Sequence, residues 1–375
     1  MLHHALTGRA VIVKSLCLSL LVLLVVDVVH AEEAFSLRDG DRIVLIGSTL
    51  IEREQRYGYW ETALTRRYPD KSITFRNLGW SGDTVFGDAR AGFGTQADGF
   101  KHLKDHVLAL KPTVLIIGYG TNESFEGRQG LPRFVKGLET LLDTFAPTKA
   151  RVVLLSPPKQ EKLAPPLPEP TENNKNLRLY ADAIRDVAKR RGHRFVDLYE
   201  LLGREPNPLT QDGIHMTAWG YWRSAVLLER GLGLPDANSQ YQAARVTKSA
   251  DNPRQIQVTL KILPLPSPPQ EGAPPDCCCA DPLSDGPGQT LVSLDPDLAQ
   301  SDKLRQAIVA KNRLYFYRWR PENETYLFGF RKYEQGQNAR EIPQFDPLIA
   351  EKEKEIAKLR VPVPHTYELK AEKKP

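Results

Sequence analysis

The sequence predicts an α/β protein: a three-layer α/β/α sandwich around a parallel five-stranded sheet, followed by a Pro-rich extension that is partly β and partly irregular. Three observations carry this. Between residues 41 and 234, short β-branched runs alternate with longer amphipathic ones, the pattern of a sheet buried on both faces. Past Leu234 the composition shifts to proline and glycine. At 375 residues, 41% hydrophobic and 26% charged, the chain is long enough for a normal core in one large domain with an appendage, or for two domains.

The first element is not part of the fold. Arg9 and Lys14 precede the apolar stretch "SLCLSLLVLLVVDVV", which ends in a small residue, Ala31, before the polar "EEAF". Basic, apolar and small-residue regions in that order make residues 1–31 a secretory signal peptide cut after Ala31. An uncleaved anchor is the competing reading, but Asp27 interrupts a run already shorter than the ~20 residues a span needs. The expected mature protein is exported, periplasmic or extracellular, with no membrane contact beyond that segment.

The α/β region then occupies residues 32–234. Its expected strands are "RIVLIG" (42–47), "SITFRNLG" (72–79), "TVLIIGYG" (113–120), "RVVLLSP" (151–157) and "RFVDL" (194–198). Helical patterns fall around 58–68, 98–110, 131–145, 173–191 and 217–231, and the stretch straight after Gly47 continues as a charged helix. In residues 235–300, Pro- and Gly-rich stretches surround one alternating run, "QIQVTLKIL", so a few exposed strands among disordered loops are expected. Residues 301–375 regain order: an aromatic and Arg-rich segment, then a short amphipathic helix in "PLIAEKEKEIAKLR" and a basic tail, "KAEKKP".

Open parallel sheets place their sites at the carboxyl ends of the strands, and four such places carry unusual residues. They are Gly47-Ser48-Thr49, "NLGWSGDT" with Gly82, "GYGTNE" with Asn122, and "DGIHMTAWGY" with Asp212 three residues before His215. Ester hydrolysis needs a hydroxyl nucleophile, a base, a carboxylate to orient that base, and donors for the oxyanion. Each residue alone is weak; together, at separate strand ends, they form a complete set.

With these blocks in view, residues 41–232 resemble the SGNH (GDSL-type) hydrolases, whose fold is flavodoxin-like and whose blocks supply Ser, Gly, Asn and His. "GYGTNE" is similar to the family's third block with Glu123 in place of Asp, and "DGIHMTAWGY" to its last. The resemblance implies Gly82 and Asn122 as oxyanion donors, His215 as general base and then acid, and Asp212 as its orienting carboxylate. The C-terminal "YRWRPENETYLFGFRKYEQGQNAREIPQFDP" resembles an extension of exported members from planctomycete-type bacteria. The first block departs from the pattern. Aligned on Gly47, Ser48 stands where the family has Asp and Thr49 where it has Ser. Thr49 keeps a hydroxyl but adds a methyl that restricts χ1 and crowds an acyl carbon that must come within about 3–3.5 Å. Three readings stay open: attack by Thr49, attack by Ser48, or a site without an efficient nucleophile.

The resulting expectation is an exported ester hydrolase acting on a small-molecule or glycan ester, with an acyl group on a carbohydrate as the expected substrate. The alternatives are a catalytically degenerate glycan-binding protein and an acyltransferase using the same site. A net charge of +5 spread along the chain gives no reason to expect nucleic acid, and no phosphate-binding Gly loop calls for a nucleotide or other cofactor. His102 and His106 share a helix face at i, i+4, yet without a third ligand they make no metal site. The segment Ser156–Asn174 suits a substrate wall or lid, or a plain surface loop. Trp60, Trp80, Tyr119 and Trp219 could stack on a sugar, with core packing the simpler role. Arg318, Arg320 and Arg331 read as cationic stems covering aromatic surface or as an anion contact. Cys17 is misplaced for a lipoprotein, and the consecutive Cys277, Cys278 and Cys279 cannot readily pair with one another.

Overall fold

Strand β1, Arg42–Gly47, lies second in a parallel sheet of order β2-β1-β3-β4-β5. Its partners are β2 (Thr74–Asn77), β3 (Val114–Gly118), β4 (Arg151–Leu155) and β5 (Arg194–Val196). This computed structural model describes residues 34–235, 243–248, 250–252, 255–270, 295–321 and 337–368, all within one compact unit, residues 34–375. Residues 1–31, Cys277, Cys278, Cys279, Arg331 and the "KAEKKP" tail lie outside the described residues.

The five-stranded parallel sheet and its helical layers are as the sequence predicts. Alternate residues of each strand feed opposite cores. Ile43, Leu45, Ile116, Val153, Leu155 and Val196 pack with Trp60, Leu64, Tyr221 and Leu228 of α2 (Tyr59–Arg66) and α7 (Ala218–Gly231). Val44, Ile46, Leu115, Ile117 and Leu154 pack with α3 (Gln96–Ala109), α4 (Gly127–Phe145) and α5 (Thr171–Arg191).

Three local details differ from the sequence reading. The second strand covers only Thr74–Asn77 because Asn77 turns its side chain onto the backbone, donating to the Ile51 carbonyl and accepting from Gly79 N–H. The helix after β1 is two pieces, α1 (Thr49–Tyr57) and α2, broken at Gly58 with φ +67°, a conformation that favours glycine. A short helix not foreseen, α6 (Leu198–Leu202), follows β5, capped by Asp197 accepting from Glu200 N–H.

The extension is docked on this core. Strands β6 (Ala243–Lys248), β7 (Gln255–Leu260) and β8 (His365–Glu368) make an antiparallel sheet in that order. Helices α8 (Asp295–Trp319) and α9 (Phe345–Leu359) pack on each other. Helix α8 also lies on α1 and α2. Lys311, fully buried, donates to both Glu61 carboxylate oxygens (2.7 and 2.9 Å) and to the Phe75 carbonyl (3.1 Å), so all three ammonium hydrogens have acceptors.

Candidate active site

The site begins where β1 becomes α1. Gly47 pairs with Gly118 across β1 and β3, so close that a Cβ on Gly47 would lie 2.4 Å from the Gly118 carbonyl oxygen. Glycine is therefore required at this turn, and the chain can enter α1 at once. Ser48 is the N-cap, buried, its N–H bonded to the Gly118 carbonyl at 3.2 Å. Thr49 is the first helical residue and is partly exposed. Its backbone N–H, like the others of a first turn, has no acceptor within the helix, and the helix dipole places positive potential there.

The loop after β2 brings Gly82 over this helix start. Gly82 N–H donates to Thr49 Oγ1 at 3.3 Å, and Gly82 holds φ +79°. A buried network fixes the loop: Asp83 Oδ2 accepts from Arg90 Nε (2.6 Å) and the Tyr119 hydroxyl (3.0 Å), while Arg90 Nη2 donates to the Leu78 carbonyl. From the loop after β3, Asn122 Nδ2 donates to the Asp83 carbonyl at 2.7 Å, leaving its second amide hydrogen available. Glu123 ties the two loops, accepting from Val85 and Gly120 N–H, each at 2.9 Å. Burial pushes its carboxyl up to about 7 against those hydrogen bonds.

Before α7, Asp212 and His215 form a pair. His215 Nδ1 lies 2.6 Å from Asp212 Oδ2, and Asp212 Oδ1 accepts from the N–H groups of Ile214 and His215. Partial burial works against the charged carboxylate, but these hydrogen bonds prevail and hold Asp212 below its ordinary value. A carboxylate on Nδ1 leaves Nε2 as the free ring nitrogen.

Ser48, Thr49, Asn122 and His215 line one cleft of about 190 Å³. Gly82 reaches Thr49 from beside it. Among the described residues no hydrogen bond joins the Thr49 hydroxyl to the His215 ring; catalytic hydrogen bonds in unliganded sites are often loose.

The sequence reading missed several residues that complete this place. Arg53, Phe125, Lys159, Ile214 and Tyr221 also line the cleft, and Phe125 is 64% exposed at its rim. Glu161, in the Ser156–Asn174 segment, accepts from Leu209 and Thr210 N–H (both 2.8 Å) and from the Thr210 hydroxyl, and its own N–H donates to Gly213 O. That segment is thus a wall bonded to the Asp212–His215 loop. A carboxylate three residues after "SPP" carries no sequence mark for such a role.

The aromatic candidates lie elsewhere. Trp60 is buried with Nε1 on Ser224 Oγ, Tyr119 is buried on Asp83, and Trp219 stacks on Trp222 at 5.1 Å. Trp80 carries the Arg320 guanidinium 3.5 Å over its ring. Arg320 also bonds Glu52, which accepts Ser81 N–H beside Gly82, whereas Arg318 pairs with Asp346. The His102 and His106 rings lie 4.2 Å apart, tilted by 36°, and meet Trp80 and Trp319 edge-on.

Residues 40–223 match the model of one family, described as GDSL-like Lipase/Acylhydrolase. That region is similar to the GDSL-like family. No curated protein matches the chain at a significant level. Among solved structures, a gut microbial diltiazem-metabolizing enzyme is similar over 89% of this chain and 98% of its own, at 15% identity and TM-score 0.63. At that identity the likeness is one of fold, and its span takes in part of the extension beyond the GDSL-like region. An acetylxylan esterase from Geobacillus stearothermophilus (20% identity, 53% and 97% coverage, TM-score 0.43) and an α/β hydrolase enzyme from the metagenome of Lake Arreo, Spain (22%, 52% and 97%, 0.41) also match.

Proposed function

We propose that this GDSL-like protein is an exported ester hydrolase acting on acyl groups of carbohydrates, with Thr49 as nucleophile. The observation that carries the reading is the Gly82 N–H bonded to Thr49 Oγ1 in the cleft that also receives His215 and Asn122. An oxyanion formed beside Thr49 can draw on three donors: the N–H groups of Thr49 and Gly82 and the free amide hydrogen of Asn122. Ser48 is the poorer candidate, being buried at the N-cap.

In this mechanism His215 Nε2 takes the Thr49 hydroxyl proton as Oγ1 bonds to the ester carbonyl carbon. The carbonyl electron pair moves to oxygen, forming the oxyanion. Its return breaks the bond to the alcohol, which leaves with the proton from His215. Water then repeats the sequence on the acyl-threonine: His215 takes a water proton, the hydroxide adds, and Thr49 departs with that proton, releasing a carboxylic acid. Asp212 stabilises the imidazolium at each stage. A sugar hydroxyl replacing water would make the reaction acyl transfer. Export rests on the tripartite character of residues 1–31.

The test uses short-chain aryl esters and acetylated sugars with wild type, Thr49→Ser, Thr49→Ala and His215→Ala. Wild-type activity abolished in Thr49→Ala and His215→Ala is expected. Activity retained in Thr49→Ala would remove the threonine from the chemistry. The absence of a Thr49–His215 hydrogen bond favours a second reading, ligand binding without turnover; turnover gained only in Thr49→Ser would support it.

A further inference from the structure

The cleft is unusual in its charge. Among the described residues its lining includes two cations, Arg53 and Lys159, and no carboxylate. Asp212, behind it, is committed to His215. Elsewhere in the α/β layer, several buried or partly buried arginines are held by acids: Arg66 and Arg67 by Glu229, Arg90 by Asp83, Arg223 by Glu205. Arg53 has no ion-pair or hydrogen-bond partner among the described residues, and its Nε is buried without one. Its sequence neighbour Glu54 gives no compensation near neutral pH, since burial pushes that carboxyl up to about 8. Arg53 follows Thr49 by one helical turn, so both side chains share a face of α1.

Lys159 occupies the junction with a second space. A groove of about 800 Å³ adjoins the cleft, and the two share Pro158, Lys159, Gln160, Ile214 and Met216. The cleft alone is below the ~300–1,000 Å³ of ordinary ligand pockets, so an ester seated at Thr49 extends past Lys159 into the groove. An unpaired guanidinium beside the reacting hydroxyl and an ammonium at the exit form a concave cationic patch. Such a patch concentrates anions, and a guanidinium fork matches a carboxylate.

We propose that the ester taken by this site carries a carboxylate close to the scissile bond, bound by Arg53 and Lys159: an acylated acidic sugar, or a half-ester of a dicarboxylic acid. This rests on the ester-hydrolase reading above and narrows its substrate. The groove beyond Lys159 offers room for the sugar of the first kind.

Two matched pairs test it: O-acetylated methyl uronosides against O-acetylated neutral methyl glycosides, and an aryl succinate against the aryl acetate. At least tenfold higher kcat/KM for the acidic member of one pair is expected, and which pair shows it names the side of the ester that bears the charge. Arg53→Gln and the loop variant Lys159→Gln should each erase most of that preference, read as a rise in KM for the acidic ester. High salt should shrink it in wild type. Hydrolysis of acidic and neutral esters at equal rates in both pairs overturns the inference while the hydrolase stands. No hydrolysis of any ester by wild type or Thr49→Ser removes the parent reading and this one with it.

Discussion

Asn122→Ala separates a working oxyanion site from a merely similar loop. In the structure Asn122 Nδ2 spends one hydrogen on the Asp83 carbonyl at 2.7 Å and borders the cleft with the other. The substitution thus removes a donor and a tether at once. Loss of one oxyanion donor costs about 2.7–4 kcal/mol in the barrier, a hundredfold to a thousandfold in kcat. Loss of the tether costs about 1 kcal/mol of stability, a small term because Arg90, Tyr119 and Glu123 still hold the same loop. Turnover on an aryl acetate should therefore fall by at least two decades with KM little changed and a Tm only a few degrees lower. Asn122→Asp should be at least as inactive, since it sets an acceptor against both the Asp83 carbonyl and the oxyanion. Full activity of Asn122→Ala at a wild-type Tm would refute the assignment of this amide.

Lys311→Met leaves Glu61 buried without its cation, a loss of about 3–5 kcal/mol for a broken buried pair. Tm should fall by roughly 6–20 °C at about 2–4 °C per kcal/mol, recovering largely in Lys311→Met/Glu61→Gln; a shift below 2 °C would mean α8 is not seated on α2 as described. Glu54, pushed by burial up to about 8, and Glu123, up to about 7, hold protons in the folded state that the unfolded chain releases above its ordinary carboxyl range. Stability should therefore decline as pH rises from about 5 through 8, with Glu54→Gln flattening the upper part; a Tm that rises over this window contradicts the burial of both groups. Glu161→Gln keeps the shape of the wall but weakens its grip on Leu209 and Thr210. We expect kcat to drop about tenfold with a nearly unchanged Tm, and unaltered kinetics would show the wall to be passive.

Strands β1, β3 and β4 were legible because each is a near-continuous apolar, β-branched-rich run of an inner strand, and the residues at their carboxyl ends followed from that placement. Asp212 and His215 sit three apart on one tight turn, so their pairing was already contained in local sequence. The short helix α6 was not, since its one strong mark is the cap residue Asp197. Nor was the placement of Glu161, Arg53 or Lys159 around the cleft: they come from α1 and the loop after β4, and nothing local distinguishes them from ordinary surface charge.

The sequence by itself determined the sheet and the hydroxyl pair Ser48-Thr49 at the end of its first strand, because those depend on periodicity and near-neighbour spacing. Only the tertiary structure decided that Gly82 N–H meets the Thr49 hydroxyl, that Ser48 is buried at the cap, and that α8 rests on α1 and α2 through Lys311. It also decided which arginines are neutralised by an acid and which, like Arg53, are left facing the cleft. Such facts depend on distances between segments far apart in the chain, set by how the cores on the two sheet faces pack, and no periodicity along the sequence encodes them.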